Sequence, residues 1–224
     1  MEPELLDALR YVVLAGRSPR SAAARRLHDQ AFGFWQAFWP AVFAQNGSPD
    51  SHLDPQQFWR QDLVTCFLFD GQVVAQQFYS RYDLHSHAAR AQPYLQQYDA
   101  AFMAALREEG IGEVLTMECL AVAPAGPHIS SGLGIASLSG ILMTLGFMQQ
   151  QAMGIPAMVT LARADVGVAR HLMRLGMKAA GPARQMHNTP VMQLYCTLPN
   201  LDVRPAMRPF AEVLWAKRED LRND

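Results

Sequence analysis

The sequence predicts a mixed α/β fold, and three features of the chain predict it. Two runs of strand-forming residues are separated by Asp70-Gly71, a dipeptide that favours a tight hairpin turn. A later strand leads into a glycine-containing turn that opens an apolar helix, and an alternating strand over 191–198 follows. Strands and helices that alternate in this way are typical of a sheet flanked by helices.

Size and composition favour one domain over residues 1–224. Half of the 224 residues are hydrophobic, and a chain of this size buries roughly 70% of its surface on folding. No repeat and no Gly/Ser-rich or Pro-rich linker divides the chain. The 19 basic and 20 acidic side chains nearly cancel, which disfavours a nucleic-acid partner.

The cysteine spacing and the N-terminal residues bear on disulfide formation, metal binding and cellular location. Cys66, Cys119 and Cys196 are far apart and form no CxxC pair, so we predict neither a disulfide framework nor a metal site. The first residues mix acidic side chains with apolar ones, and no signal peptide is predicted. A cytoplasmic protein is the expectation.

The N-terminal part, residues 1–60, is expected to be helical. Apolar residues between Ala23 and Val42 recur near helical spacing, and Asn46-Gly47 marks the end of the helix. Gly33 is a possible break, and Pro40 inside the pattern is expected to kink the helix or start a new turn.

The remaining elements follow from the same patterns. Strands are predicted over 63–69 and 72–82, a helix over 93–109, and a strand over 113–122 that Pro124 stops. The apolar helix that begins at Leu133 is shorter than the roughly 20 residues that a membrane span needs, so no span is predicted. A strand over 157–161, helices over 166–175 and 205–222, and the strand over 191–198 complete the prediction.

The unit of strand, glycine turn and helix has a chemical consequence. Free backbone N–H groups and the positive end of a helix dipole both favour an anion at such a turn. Gly132 and Gly134 would let a ligand approach the backbone closely. Tight packing of helix on strand explains such glycines equally well, so this motif alone leaves both interpretations open.

The wider context resembles the GNAT superfamily of N-acyltransferases. The resemblance rests on Leu120-Ala121-Val122-Ala123-Pro124, on the glycine turn, and on Leu175-Gly176-Met177 at the end of a later helix. It implies a mixed, mostly antiparallel central sheet flanked by helices, and an acyl-CoA such as acetyl-CoA as donor. By the same resemblance, the backbone of Leu120 and Val122 would pair with the pantetheine arm. The pyrophosphate would be held by backbone amides of Ser130, Ser131, Gly132, Leu133 and Gly134.

Three departures from the family pattern affect the site, and one of them is the presence of extra residues, Ala125 to His128, between Pro124 and the turn. Ile129 stands where the family has Arg or Gln, so one polar phosphate contact is absent. Leu172 stands where many members have a tyrosine that acts as general acid, and an apolar side chain cannot protonate a thiolate. His187, Asn188 and Tyr195 remain as candidates for the acid.

Glu118 is the best-placed candidate for the general base. It lies on the strand just before Leu120, where family members often have a catalytic glutamate. A glutamate at a strand edge that faces solvent is the alternative. In a regular strand, Cys119 would point to the opposite face from Glu118, which disfavours a cysteine nucleophile beside that base.

The resemblance therefore predicts transfer of an acyl group, acetyl in the first instance, from acyl-CoA to a primary amine on a small molecule. Two alternatives stay open. One is a synthase of the N-acyl amino acid or acyl-homoserine-lactone type that takes its acyl group from an acyl carrier protein. The other is a GNAT-fold module that binds acyl-CoA and has lost its chemistry. A homodimer is the expected assembly, because many relatives pair through their last strands.

Overall fold

The computed structural model describes residues 8–48, 51, 53–132, 134, 137–197 and 207–223. The chain forms two compact units. The first comprises Met1–Tyr79, Cys119–Leu145 and Arg204–Asp224, and the second comprises Ser80–Glu118 and Gly146–Val203. The prediction of a single domain over 1–224 stays a prediction.

The elements follow one another in an alternating order of strands and helices. In chain order they are β1 (Leu9–Ala15), α1 (Ala22–Gln45), α2 (Pro55–Trp59), β2 (Leu63–Phe69), β3 (Gln72–Tyr79), β4 (Arg81–Asp83), α3 (His87–Arg90), a 3₁₀ turn (Leu95–Gln97), α4 (Ala100–Glu108), β5 (Glu113–Thr116), β6 (Glu118–Val122), α5 (Gly126–Gly132), α6 (Leu138–Met153), β7 (Ala157–Arg163), α7 (Val168–Arg174), β8 (Lys178–Ala179), β9 (Arg184–Met186), β10 (Thr189–Thr197), α8 (Arg208–Ala216) and β11 (Glu219–Leu221).

The strands form two sheets, with the order β11-β1-β2-β3-β6 in one and β4-β5-β7-β10-β8 in the other. Neighbouring strands are mostly antiparallel, and the pairs β1–β11 and β5–β7 are parallel. The predicted class, mixed α/β with mostly antiparallel strands, is confirmed. The sheet expected to be continuous is divided into two.

Helix α1 covers one face of the first sheet, where it packs on β2 and β3. The Ser21 side chain caps its N-terminus by accepting a hydrogen bond from the Ala24 N–H, and Asn46 caps its C-terminus. The helix continues through both Gly33 and Pro40, so the predicted long helix is confirmed without a break. Its buried face joins an apolar cluster that contains Val12, Leu14, Ala31, Trp35, Phe58, Val64, Cys66, Leu68 and Phe78.

The expectation that residues 1–60 are helical is wrong over Leu9–Ala15, which form β1. This run is almost uniformly apolar, and a short buried run of that kind does not reveal by periodicity whether it is helix or strand. Its position decides the matter, because β1 lies between β2 and β11 and its residues are largely buried.

The hairpin between β2 and β3 is confirmed. Asp70 and Gly71 both have positive φ, 50° and 74°, which the twist of a two-residue hairpin turn requires. The first strand ends at Phe69 and the second begins at Gln72, as predicted. The second strand ends earlier than expected, at Tyr79, and Arg81–Asp83 form β4 in the other sheet.

The second sheet supports a separate apolar core. Phe102 and Leu106 of α4 are fully buried against residues of β5, β7 and β10. The predicted helix over 93–109 is divided, because the Asp99 side chain accepts the Phe102 N–H and starts α4 after the 3₁₀ turn. The predicted strand over 113–122 is also divided, at Met117.

The C-terminal segment departs from the helix predicted over 205–222. Helix α8 ends at Ala216, and Glu219–Leu221 form β11, which pairs in parallel with Val12–Leu14 of β1. Arg10 of β1 also donates two hydrogen bonds to the Glu219 carboxylate, both at 2.5 Å. The short charged sequence at the end of the predicted helix is typical of a solvated helix end. It does not indicate pairing with a strand far away in the chain.

Candidate functional site

The Glu118 carboxylate is buried and held in place by a neighbouring hydroxyl. Glu118 is the first residue of β6 and only 4% exposed, so it is not a glutamate that faces solvent at a strand edge. Thr116 Oγ1 donates a hydrogen bond to Glu118 Oε1 at 2.6 Å, and the Ser80 N–H donates to Thr116 Oγ1 at 2.9 Å. The Ser80 carbonyl is a weaker competitor for the Thr116 hydrogen, at 3.2 Å.

Thr116 was not among the residues predicted from the sequence. The spacing offered a signal, because side chains two apart along a strand project toward the same side. A threonine two residues before a glutamate is common, however, and the sequence alone does not separate this pair from an exposed one.

The strand pairing of β5 with β7 ends beside Glu118. Thr116 is the last residue of β5 in register with β7, opposite Val159. The Met117 N–H still donates to the Val159 carbonyl at 2.9 Å, and the Thr160 hydroxyl donates to the Met117 carbonyl at 2.7 Å. A side chain thus takes the place of the next backbone hydrogen bond, and the chain then enters β6, which belongs to the other sheet.

Cys119 breaks the regular course of β6. Its φ is 51°, a left-handed conformation that non-glycine residues seldom adopt. The prediction that Cys119 and Glu118 face opposite sides assumed a regular strand, and that assumption is wrong. Cys119 is partly buried and packs against the apolar cluster under α1.

Strand β6 lies at the edge of the first sheet. One side pairs with β3, where the Ala123 N–H donates to the Val74 carbonyl at 2.8 Å. Within the described strands of that sheet, none pairs with its other side. Leu120 and Val122 are partly exposed. An extended arm carrying amide groups can add to such an edge as a further strand, so the role predicted for Leu120 and Val122 stays a prediction that this geometry permits.

The predicted glycine turn begins later than expected. Ser130, Ser131 and Gly132 belong to α5, and backbone N–H groups in the body of a helix bond to carbonyls four residues earlier. The prediction of a turn from Ser130 onward is therefore wrong. Gly134, with φ 65°, lies in the turn that follows, whereas Leu133 lies outside the described residues.

Ser130 has a structural role that the sequence did not reveal. Its buried hydroxyl donates to the Gly126 carbonyl at 2.9 Å and accepts from the Leu138 N–H at 3.0 Å. The Ser137 hydroxyl accepts from the Gly140 N–H at 3.0 Å. Two N–H groups in the first turn of α6 are thus bound to serine hydroxyls. Pyrophosphate binding by residues 130–134 stays a prediction.

The residues considered for a phosphate contact and for a general acid are buried, lie in a turn or are hydrogen-bonded to another side chain. Ile129 and Leu172 are buried, at 8% and 1% exposure. His187 and Asn188 have φ of 48° and 56° and form the tight turn between β9 and β10. Tyr195 donates to Glu109 Oε1 at 2.6 Å, and burial together with this contact raises the pKa of Tyr195 to about 12. None of these contacts points to a general acid.

The described part of the chain shows neither a metal-binding cluster nor a membrane-spanning helix. Within it, no group of three or more His, Cys, Asp and Glu side chains is arranged to hold a metal ion. No helix there has both the length and the apolar character needed to cross a membrane.

Comparison with known proteins identifies the fold. No family model matches the chain, and no curated protein does. An agmatine N-acetyltransferase structure aligns over 84% of this chain and 99% of its own, with a TM-score of 0.59 and 16% identity. The chain has the GNAT fold.

Two other solved structures with this GNAT fold cover more of the chain. FeeM, an N-acyl amino acid synthase from uncultured soil microbes, aligns over 92% of this chain and 98% of its own, with a TM-score of 0.55 and 12% identity. BjaI, a CoA-dependent acyl-homoserine lactone synthase, aligns over 95% and 93%, with a TM-score of 0.57 and 12% identity. The GNAT fold was the one that the sequence resemblance implied.

Proposed function

We propose that this protein transfers an acyl group from an acyl-CoA thioester to a primary amine, with Glu118 as general base. The observation that carries the proposal is the buried Glu118 carboxylate, fixed by Thr116, at the start of β6 in a GNAT fold. A carboxylate that is held in one orientation loses little freedom when it accepts a proton from a bound amine.

The reaction balances with the groups available. The amine nitrogen attacks the thioester carbonyl carbon, a C–N bond forms, and the C–S bond breaks. Glu118 accepts the proton that leaves the nitrogen, directly or through a water molecule. The CoA thiolate departs and takes its proton from solvent, because Leu172 and Tyr195 are unsuited to supply it.

Strand β6 would hold the donor. Its edge offers the backbone of Leu120 and Val122 to the pantetheine arm, and the turn at Gly134 offers positive φ and an exposed backbone. The fit to a pyrophosphate is weaker, since Ile129 is apolar and Ser130 is engaged with Gly126 and Leu138. A donor held mainly through its pantetheine arm is the arrangement these residues favour.

The weaker fit to a pyrophosphate supports a second candidate, in which the donor is an acyl carrier protein. The phosphopantetheine arm of such a protein carries no pyrophosphate, so the site would not need to bind one. The acyl acceptor would then be the amine of an amino acid or of a similar small molecule. FeeM, an N-acyl amino acid synthase, shares the fold over nearly the whole chain and is compatible with this candidate, whereas BjaI, which shares the fold to a similar extent, is CoA-dependent. A cytoplasmic homodimer, expected from the sequence, stays a prediction.

Calorimetric titration with CoA and acetyl-CoA, with thermal unfolding as a second readout, tests the donor. Saturation at 100 times Kd would add about 2.7 kcal/mol to the free energy of unfolding. Micromolar binding supports the CoA donor. No binding at millimolar CoA contradicts it and directs the test to acyl carrier protein, and no binding of either donor contradicts an acyltransferase.

Glu118→Gln tests the base once a donor and an amine acceptor are found. Gln keeps an oxygen for the Thr116 hydroxyl but cannot take the proton, so turnover should fall by a factor of about 100 or more while donor affinity stays the same. Glu108→Gln, an exposed position on α4, is the matched control. Unchanged turnover in Glu118→Gln would remove Glu118 from the mechanism.

A further inference from the structure

An aromatic pocket opens on the first unit, between the N-terminal half of α1 and the short helix α2. Its volume is about 400 Å³. Residues of α1 and α2 line it, namely His28, Asp29, Phe32, Pro55, Gln56, Phe58 and Trp59. Neither Glu118 nor any residue of β6 is among them, so the pocket is distinct from the acyl-transfer site proposed above.

The ring walls of the pocket have a defined arrangement. Phe58 lies at its buried end, with ring centroids 5.1 Å from Phe32 and 5.0 Å from His28, both edge-to-face. Trp59 stands perpendicular to His28, and its side chain lies at the opening, where the residue is 46% exposed. Trp59 therefore presents a partly exposed ring beside the buried rings of Phe58 and His28.

His28 stabilises this wall. Its Nε2 lies 3.1 Å from the Gly16 carbonyl, and a carbonyl only accepts, so Nε2 carries the hydrogen and donates it. This bond and the ring contacts with Phe58 and Trp59 fix the plane of the imidazole. The pocket is therefore largely formed before any ligand enters.

The lining of the pocket carries a negative charge and no Lys or Arg to balance it. Asp29 is the acidic residue of the pocket, and neither Lys nor Arg contributes to the lining. Within the described part of the chain, Asp29 forms no ion pair. Arg25, one turn earlier on α1, donates instead to the Arg20 carbonyl. An unpaired carboxylate beside ring faces attracts a positive charge.

We propose that this pocket binds a small organic cation of the alkylammonium class. The positive head would lie against the faces of Phe32 and Trp59 with Asp29 at its side, and the apolar body would contact Phe58 and Pro55. Aromatic faces recognise ammonium groups through their quadrupole, and a nearby carboxylate adds a direct charge interaction. A volume of about 400 Å³ accommodates a cation of the size of choline.

The test compares choline with 3,3-dimethyl-1-butanol, which has the same shape and no charge. Isothermal titration of the whole chain without an acyl donor makes the result independent of the proposed acyl transfer. We expect choline to bind at least about tenfold more tightly than the alcohol, the range expected for a cation held by rings and a carboxylate.

Three variants locate the site. Asp29→Asn and Trp59→Leu, both at exposed positions, should each weaken choline binding about fivefold to tenfold. Asp29→Asn should leave binding of the alcohol unchanged. Asp70→Asn, which removes the same charge at a turn where Asn is equally suited, should leave choline binding unchanged.

The opposite results overturn the proposal. Equal affinity for choline and the alcohol would show that the pocket binds apolar groups without recognising the positive charge. Choline binding that is insensitive to both Asp29→Asn and Trp59→Leu would place the cation elsewhere. Absence of saturable binding at about 50 mM choline would exclude the cation site.

Discussion

The Thr116 hydroxyl lies 2.6 Å from Glu118 Oε1, and the Ser80 N–H supplies the second hydrogen bond of that hydroxyl. Ser80, between β3 and β4, and Thr116, the last residue of β5, thus hold the carboxylate of Glu118 at the start of β6. The arrangement makes Thr116 a positioning residue for the proposed base.

Thr116→Val should lower kcat about tenfold to a hundredfold and change donor affinity little. Valine has a similar shape but no hydroxyl, so the hydrogen bonds from Thr116 to Glu118 and from the Ser80 N–H to Thr116 are both lost. Thr116→Ser restores the hydroxyl and should recover most of the activity. Steady-state kinetics with the donor and amine found for this protein would check both variants. Equal loss in Val and Ser would show that packing, and not the hydroxyl, matters.

Ser130→Ala should lower the free energy of unfolding by about 1 kcal/mol, as loss of a helix cap does. The hydroxyl joins the Gly126 carbonyl to the Leu138 N–H, and alanine leaves both groups without it. Urea unfolding measures the change, with the exposed neighbour Ser131→Ala as control. Unaltered stability together with lost CoA binding would instead assign the Ser130 hydroxyl to the pyrophosphate.

Gln76→Leu should raise the free energy of unfolding by about 1 kcal/mol. Gln76 is fully buried opposite Cys66, and within the described residues neither its Nε2 nor its Oε1 has a hydrogen-bond partner. Removing an unpaired buried amide removes a desolvation cost. Gln77→Leu is the contrasting control, because Gln77 Oε1 accepts from the Tyr79 hydroxyl at 2.8 Å, and that variant should be destabilised. A loss of stability in Gln76→Leu would indicate that the amide binds a water molecule or ligand.

Asp99 should contribute stability that disappears in acid. The hydrogen bond from the Phe102 N–H, and after it the one from the Gln193 amide, hold the pKa of Asp99 below its ordinary value. A lowered pKa in the folded state means that the contribution is complete above the unfolded pKa of about 3.9 and is lost as pH falls through the folded value. Urea unfolding of the native protein and Asp99→Asn should therefore differ at pH 7 and converge near pH 2. A constant difference across that range would contradict the linkage.

The sequence contained most of the local structure of this fold. Asp70-Gly71 favoured a hairpin with positive φ, and the apolar spacing from Ala23 to Val42 with Asn46-Gly47 at its end indicated the long helix. The strand at Leu9–Ala15 and the short strand at Glu219–Leu221 were missed for a common reason. Strand β1 depends on pairing with β2 and β11, and β11 depends on pairing with β1 more than 200 residues away, and no local pattern encodes such pairing.

The candidate site was predictable in one half only. Glu118 was a candidate because the LAVAP resemblance fixed its place, but its hydrogen-bond partner Thr116 depends on a contact that the sequence does not single out. The glycine turn was misplaced because Ser130 bonds to Gly126 and extends a helix, although Gly132 and Gly134 are typical of a turn. His187 and Asn188 were candidates for the general acid, but both have positive φ and form a tight turn.

The three cysteines differ in a way that provides a spectroscopic handle. Burial raises the pKa of both Cys66 and Cys196 to about 12, so neither would react with a thiol reagent at neutral pH. Cys119 is partly exposed and immediately precedes Leu120. A maleimide dye should therefore label Cys119 on β6 in preference to the two buried thiols, and a change in its emission on addition of a donor would test whether the donor binds along this strand.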